Sequence, residues 1–97
     1  MANFIKTAVA RYPSELEYHP NKGEDRVRKI GIKESLWIKQ RKDGFSLQTT
    51  SDVANLINGE IERLIGNSIG KNRGYKYWYL DYHAIEKIFE ILAQISL

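Results

Sequence analysis

Apolar residues recur here in two rhythms, every second position and every third or fourth, and the switches between them mark the elements. Leu36, Ile38 and Gln40 fall on one side of an extended chain, with Trp37, Lys39 and Arg41 on the other. After Arg41-Lys42-Asp43-Gly44 the alternation resumes with Phe45, Leu47 and Thr49. This predicts a β-hairpin over about 36–49, turned where glycine accepts unusual backbone geometry. Val53, Leu56, Ile57, Ile61, Leu64 and Ile65 then follow at helical spacing, predicting an amphipathic helix over about 51–65. Thr50 and Ser51 offer cap oxygens, and Asp52 puts a negative charge in the first turn. Asn58-Gly59 lies midway. Glycine there costs about 1 kcal/mol relative to alanine, and helix–turn–helix competes with one helix. The stripe keeps its phase across the glycine, which favours continuity.

Tyr75 to Leu80 alternates again and predicts a short strand over 75–80, with Trp78 and Leu80 inward and the tyrosines half-exposed. Asp81 can cap a C-terminal helix over about 82–95, whose stripe is Ile85, Ile88, Phe89, Leu92 and Ile95. Residues 66–74, GNSIGKNRG, predict a loop. Upstream, 3–12 suits helix or strand, and Pro13 ends either. The polar run SELEYHPNKGED (14–25) suggests a loop or arm, and Val27 to Lys33 a half-buried strand. The expected fold is α+β, with a single domain over 27–97 and an N-terminal segment, 1–26, whose order the pattern leaves open.

Ninety-seven residues, 42% of them hydrophobic, suffice for one modest core. The absence of cysteine excludes disulfides, a thiolate nucleophile and a cysteine-based zinc site. His19 and His83 stand far apart without neighbouring ligands, so no metal is expected. No serine sits in a nucleophile elbow. Gly66-x-x-x-Gly70-Lys71 is too short for a phosphate-binding P-loop and leads into a strand, where that mechanism needs a helix. No catalytic activity and no cofactor are expected. No segment has the ~20 apolar residues of a membrane span, and the first residues lack a secretory signal. A cytoplasmic protein is therefore expected.

Net charge is +3, but its placement matters more. Residues 22–44 carry eight basic against four acidic residues, and 66–80 hold Lys71, Arg73 and Lys76 without an acid. The helical stretches 51–65 and 81–97 are net acidic. The positive field thus belongs to the hairpin and the Gly-rich loop, where it suits phosphates. As a wing, that loop would set Lys71, Arg73 and Lys76 on a nucleic-acid backbone and Asn72 against a base edge. The bland alternative is a solvated connecting loop. Tyr75, Tyr77, Trp78 and Tyr79 could stack on bases, although strand aromatics between two helices more often pack.

The run from Ile38 to Ala54, IKQRKDGFSLQTTSDVA, resembles the opening of KilA-N and the related APSES domains, where a basic strand, an Asp-Gly-aromatic turn and a Thr-containing step lead into a helix. Tyr77-Trp78-Tyr79-Leu80 and the helix after it look like their later Trp-containing strand, and Gly74-Tyr75-Lys76-Tyr77 looks like the wing of MerR-type regulators. Gln48 departs from the family, replacing an asparagine often found before the threonine, and the intervening helical region is short. Over roughly residues 36–95 the resemblance implies a winged-helix-related, phage- or plasmid-type DNA-binding regulator. Its implied contacts are Arg41 and Lys42 at the hairpin, Thr49 and Thr50 at the helix start, and Lys71 to Arg73 in the loop. Lys39 joins them by its place on the basic strand.

Two functions compete: DNA binding through the two cationic loops, and a protein-binding module, such as a phage inhibitor of a host defence or replication protein, using Tyr75, Tyr77 and Tyr79. Homodimerisation through an edge strand or the terminal helix is compatible with both. DNA binding requires Arg41 and Arg73 to share one side of the molecule.

Overall fold

A computed structural model describes residues 3–96, the side chain of Asn72 excepted. Among the described residues nine elements follow in order: α1 (Phe4–Val9), β1 (Leu16–Asn21), β2 (Glu24–Lys29), β3 (Ser35–Arg41), β4 (Gly44–Thr49), α2 (Ser51–Ile65), β5 (Gly70–Asn72), β6 (Tyr75–Leu80) and α3 (Tyr82–Gln94). The fold is α+β. Its strands form one antiparallel sheet in the order β1-β2-β3-β4-β6-β5.

The hairpin, both long helices and the aromatic strand form where the alternation and the stripes predict. In β3 and β4, Leu36, Ile38, Phe45 and Leu47 point inward, joined by Val27, Trp78 and Leu80. Against them pack Val53, Ile57 and Ile61 of α2 and Ile85, Ile88, Phe89 and Leu92 of α3. Helix α2 runs unbroken through Gly59. Its Asn58 is held by Thr49, whose hydroxyl donates to Asn58 Oδ1 at 2.7 Å. Asp81 caps α3, accepting from Ala84 N at 2.8 Å. Thr50 stands at the N-cap of α2 without capping it. Its hydroxyl instead donates to Ser35 O at 3.0 Å.

Three stretches differ from their sequence expectation. The run 14–25 is not a loop: it supplies β1, the Lys22-Gly23 turn and the start of β2. Leu16 and Tyr18 alternate inward with Glu17 and His19 outward, but so many polar residues at a sheet edge hide the period. Pro20 fits there because an edge strand leaves one row of donors unused. The strand expected over 27–33 begins three residues earlier and stops at Lys29, before Gly31 turns the chain at φ 106°. The third is 66–74, half of which is β5 and its turn onto β6. Segment 3–12 resolves as helix α1, which buries Ile5, Ala8 and Val9 in the shared core.

Lys29 is 2% exposed. Its ammonium donates to Ala93 O at 3.0 Å and to Glu15 Oε2 at 3.1 Å. Placed at the C-terminal end of α3, the charge meets unpaired carbonyls and the negative end of the helix dipole.

Candidate nucleic-acid interface

All three helices contribute to a core on one face of the sheet, so the other face is defined by register alone. Antiparallel pairing keeps opposed residues on the same face. Arg26 lies opposite Trp37, Trp37 opposite Gln48, and Gln48 opposite Tyr77. In the next row Lys39 faces Ser46 and Ser46 faces Tyr79. Because Leu36, Ile38, Leu47 and Trp78 point toward the helices, these rows must point away.

The open face is hollowed along β4. Ser46 and Gln48 are shorter than their neighbours, so Trp37, Lys39 and Arg41 rise on one flank and Tyr77 and Tyr79 on the other. The hollow measures about 430 Å³ and is also lined by Lys71 of β5 and Glu24 of β2. A second hollow of about 300 Å³ shares Trp37, Gln48 and Glu24 with the first and adds Arg73, Tyr75 and Thr50. The trough thus runs the length of β4, from Arg41 at one end to Arg73 at the other.

Several contacts fix its walls. The Arg26 guanidinium stacks 5.4 Å from the centre of the Trp37 ring. Tyr77 and Tyr79 meet edge to face with centroids 6.1 Å apart. A Cβ on Gly70 would come within 3.3 Å of the Tyr77 ring and hydroxyl, so the bare glycine lets that ring lie over β5. The Arg41 Nε donates to Ser46 Oγ at 3.3 Å. The Tyr75 and Ser51 hydroxyls share a hydrogen bond of 3.2 Å. Tyr79 is 59% exposed, the most of any large hydrophobic side chain among the described residues.

Not every cation here is available. Arg28 on the same face donates to Glu17 at 2.5 Å, and His19 lies 2.9 Å from the same carboxylate. These bonds, Arg28 first, hold the Glu17 carboxyl below its ordinary value. Arg26, Lys39, Arg41, Lys71 and Arg73 remain around the trough, with Glu24 as the carboxylate among them.

Of the residues expected to contact nucleic acid, Lys39 and Arg41 stand exposed on the open face, and Lys42 is exposed at the hairpin tip. Lys71 and Arg73 reach the trough from the β5 side. Arg73 and Gly74 form the two-residue turn between β5 and β6, with φ of 55° and 84°, so an arginine occupies a left-handed position where asparagine or glycine is usual. Asn72 pairs with Tyr75 through the backbone, and its side chain lies outside the described residues.

Three expected contacts do not face the trough in the expected way. Thr49 is fully buried against Asn58, on the helix side. Thr50 is 8% exposed and its hydroxyl is committed to Ser35. Lys76 alternates with Tyr75 and Tyr77 and so crosses to the helix side, where its ammonium lies 3.2 Å from Glu62 of α2. Conversely, Arg26 and Trp37 belong to the site, although neither lies in a cationic loop. The signal for Trp37 was its alternation opposite Leu36 and Ile38 beside Lys39 and Arg41. Nothing in the sequence paired Arg26 with it, because that depends on the register of β2 against β3.

The two cationic turns share one face of the sheet but do not meet on it. Phe45 pairs with Leu80 and Gln48 with Tyr77, so the Lys42-Asp43 tip and the Arg73-Gly74 turn lie at opposite ends of the same face. The fold and site together define an α+β domain with one helix-covered sheet face and one open face that is aromatic and basic. The chain matches no family model, and no curated protein or solved structure matches it.

Proposed function

We propose that this chain is a non-enzymatic nucleic-acid-binding protein whose contact surface is the open face of the sheet. The observation that carries this is the gathering of Lys39, Arg41, Lys71 and Arg73 around one trough, from strands far apart in sequence. Clustered cations neutralise several phosphates at once, and release of the bound counterions drives association. DNA as the partner, and a phage- or plasmid-type regulatory role, come from the resemblance to KilA-N and APSES domains. That resemblance now rests on the hairpin cations and the β5–β6 turn, since Thr49 turns inward and the Thr50 hydroxyl is committed to Ser35.

A mobility-shift titration at two salt concentrations tests the proposal. Affinity should fall steeply as salt rises, and Lys39→Glu with Arg41→Glu should flatten that dependence by about one slope unit per lost phosphate contact. Both residues are exposed, so the variant should keep its fold. Absence of binding at low salt would refute the proposal. A protein-binding module is the second reading, favoured by the exposure of Tyr79 beside arginine. A partner captured from lysate that survives nuclease treatment supports it.

A further inference from the structure

We infer that the trough binds an unpaired strand of polynucleotide and excludes a duplex. This rests on the polyanion-binding function proposed above and narrows it to a substrate class. The first reason is dimensional. Trp37 and Lys39 on β3 and Tyr77 and Tyr79 on β6 flank β4, so the backbones that carry the walls stand two strand spacings apart, or roughly 10 Å, and the side chains narrow the opening further. That width admits one strand with its bases turned aside. A double helix, whose major groove alone is about 12 Å wide, does not enter it.

The second reason is chemical. Trp37, Tyr77 and Tyr79 share the open face, outside the helix-covered core, and Tyr79 is more than half exposed. Bases within a duplex are already stacked and present only their edges. Unstacked bases present π-faces, which aromatic rings and guanidinium planes take up. The Arg26 guanidinium over Trp37 extends that platform. Cations at both ends of the trough, Arg41 and Arg73, match a backbone that enters at one end and leaves at the other. A surface built only for phosphate would need the arginines and lysines, not the rings.

The test measures affinity of the whole chain by fluorescence anisotropy for short labelled oligo(dT), oligo(U) and a blunt mixed-sequence duplex, with polyglutamate as competitor. Both unpaired probes, or one of them, should bind at least tenfold more tightly than the duplex. The preference between dT and U identifies DNA or RNA as the source. Tyr79→Ala should weaken single-strand binding about tenfold, whereas Tyr79→Phe, which keeps the ring, should retain it. A thermal melt confirms that both variants fold, as expected for so exposed a residue. Equal or tighter duplex binding, unaffected by Tyr79→Ala, would overturn the inference and leave polyanion binding standing. Displacement by polyglutamate as effective as by oligo(dT) would assign the trough to acidic protein instead. No binding of any probe would overturn both.

Discussion

Tyr18 shows how a partly buried group at the sheet edge reports on the fold. Its hydroxyl donates to Asp25 Oδ1 at 2.6 Å and accepts from Asn3 Nδ2 at 2.6 Å. Burial first, and then the bond to the Asp25 carboxylate, push its pKa from 10.0 to about 12. A raised value means that the folded state favours the neutral phenol. The stabilisation is therefore complete below pH 10, the unfolded value, and is lost as pH climbs toward 12. Spectrophotometric titration should find a tyrosine step near pH 12, and Tyr18→Phe should remove that step. Gly44 is a second single position with an outsized role. A Cβ there would lie 2.3 Å from the carbonyl oxygen of Leu80, within the backbone of the neighbouring strand, at a φ of 158°. Gly44→Ala should destabilise the protein by about 2 kcal/mol, the scale of overpacking at a rigid site, measured by urea denaturation.

Among the elements, α2 is where local cost and tertiary gain are easiest to separate. Gly59 sits in mid-helix with no atom nearer to an added Cβ than Arg63 Nη1 at 3.8 Å. Gly59→Ala should therefore raise stability by about 0.5–1 kcal/mol, read as a higher denaturation midpoint at unchanged slope. The helix, the hairpin and β6 were legible in the sequence because each buries one face and exposes the other. Val53, Ile57 and Ile61 mark one period, and Leu36, Ile38, Phe45 and Leu47 the other. Strands β1 and β5 were not. An edge strand such as 16–21 has few neighbours to bury against, and its Glu17 pairs with Arg28 of β2, which sequence does not place beside it. The three residues of β5 carry no period and exist through their pairing with β6. The site was half legible for the same reason. Charge placed Lys39, Arg41, Lys71 and Arg73 on the list, but period-two alternation sends Lys76 through the sheet to Glu62. Burial beneath the β3–β4 hairpin takes Thr49 inward.

The molecule as a whole is asymmetric about its sheet. Three helices supply one side of a common core, and no helix among the described residues is long and apolar enough to cross a membrane. The opposite face keeps Trp37, Tyr77 and Tyr79 among cations, an arrangement that core packing does not require. The sequence reading required the two basic turns to share one side; the fold places them at the two ends of one trough on that side, which converts a pair of tips into a track. The most direct test is amide chemical-shift mapping on adding a short oligo(dT). The account predicts perturbations along residues 37–41, 46–48 and 71–79, with the amides of α2 and α3 unmoved apart from the first turn of α2 beside Tyr75. Perturbations centred on the exposed faces of those helices, or none at all, would contradict it.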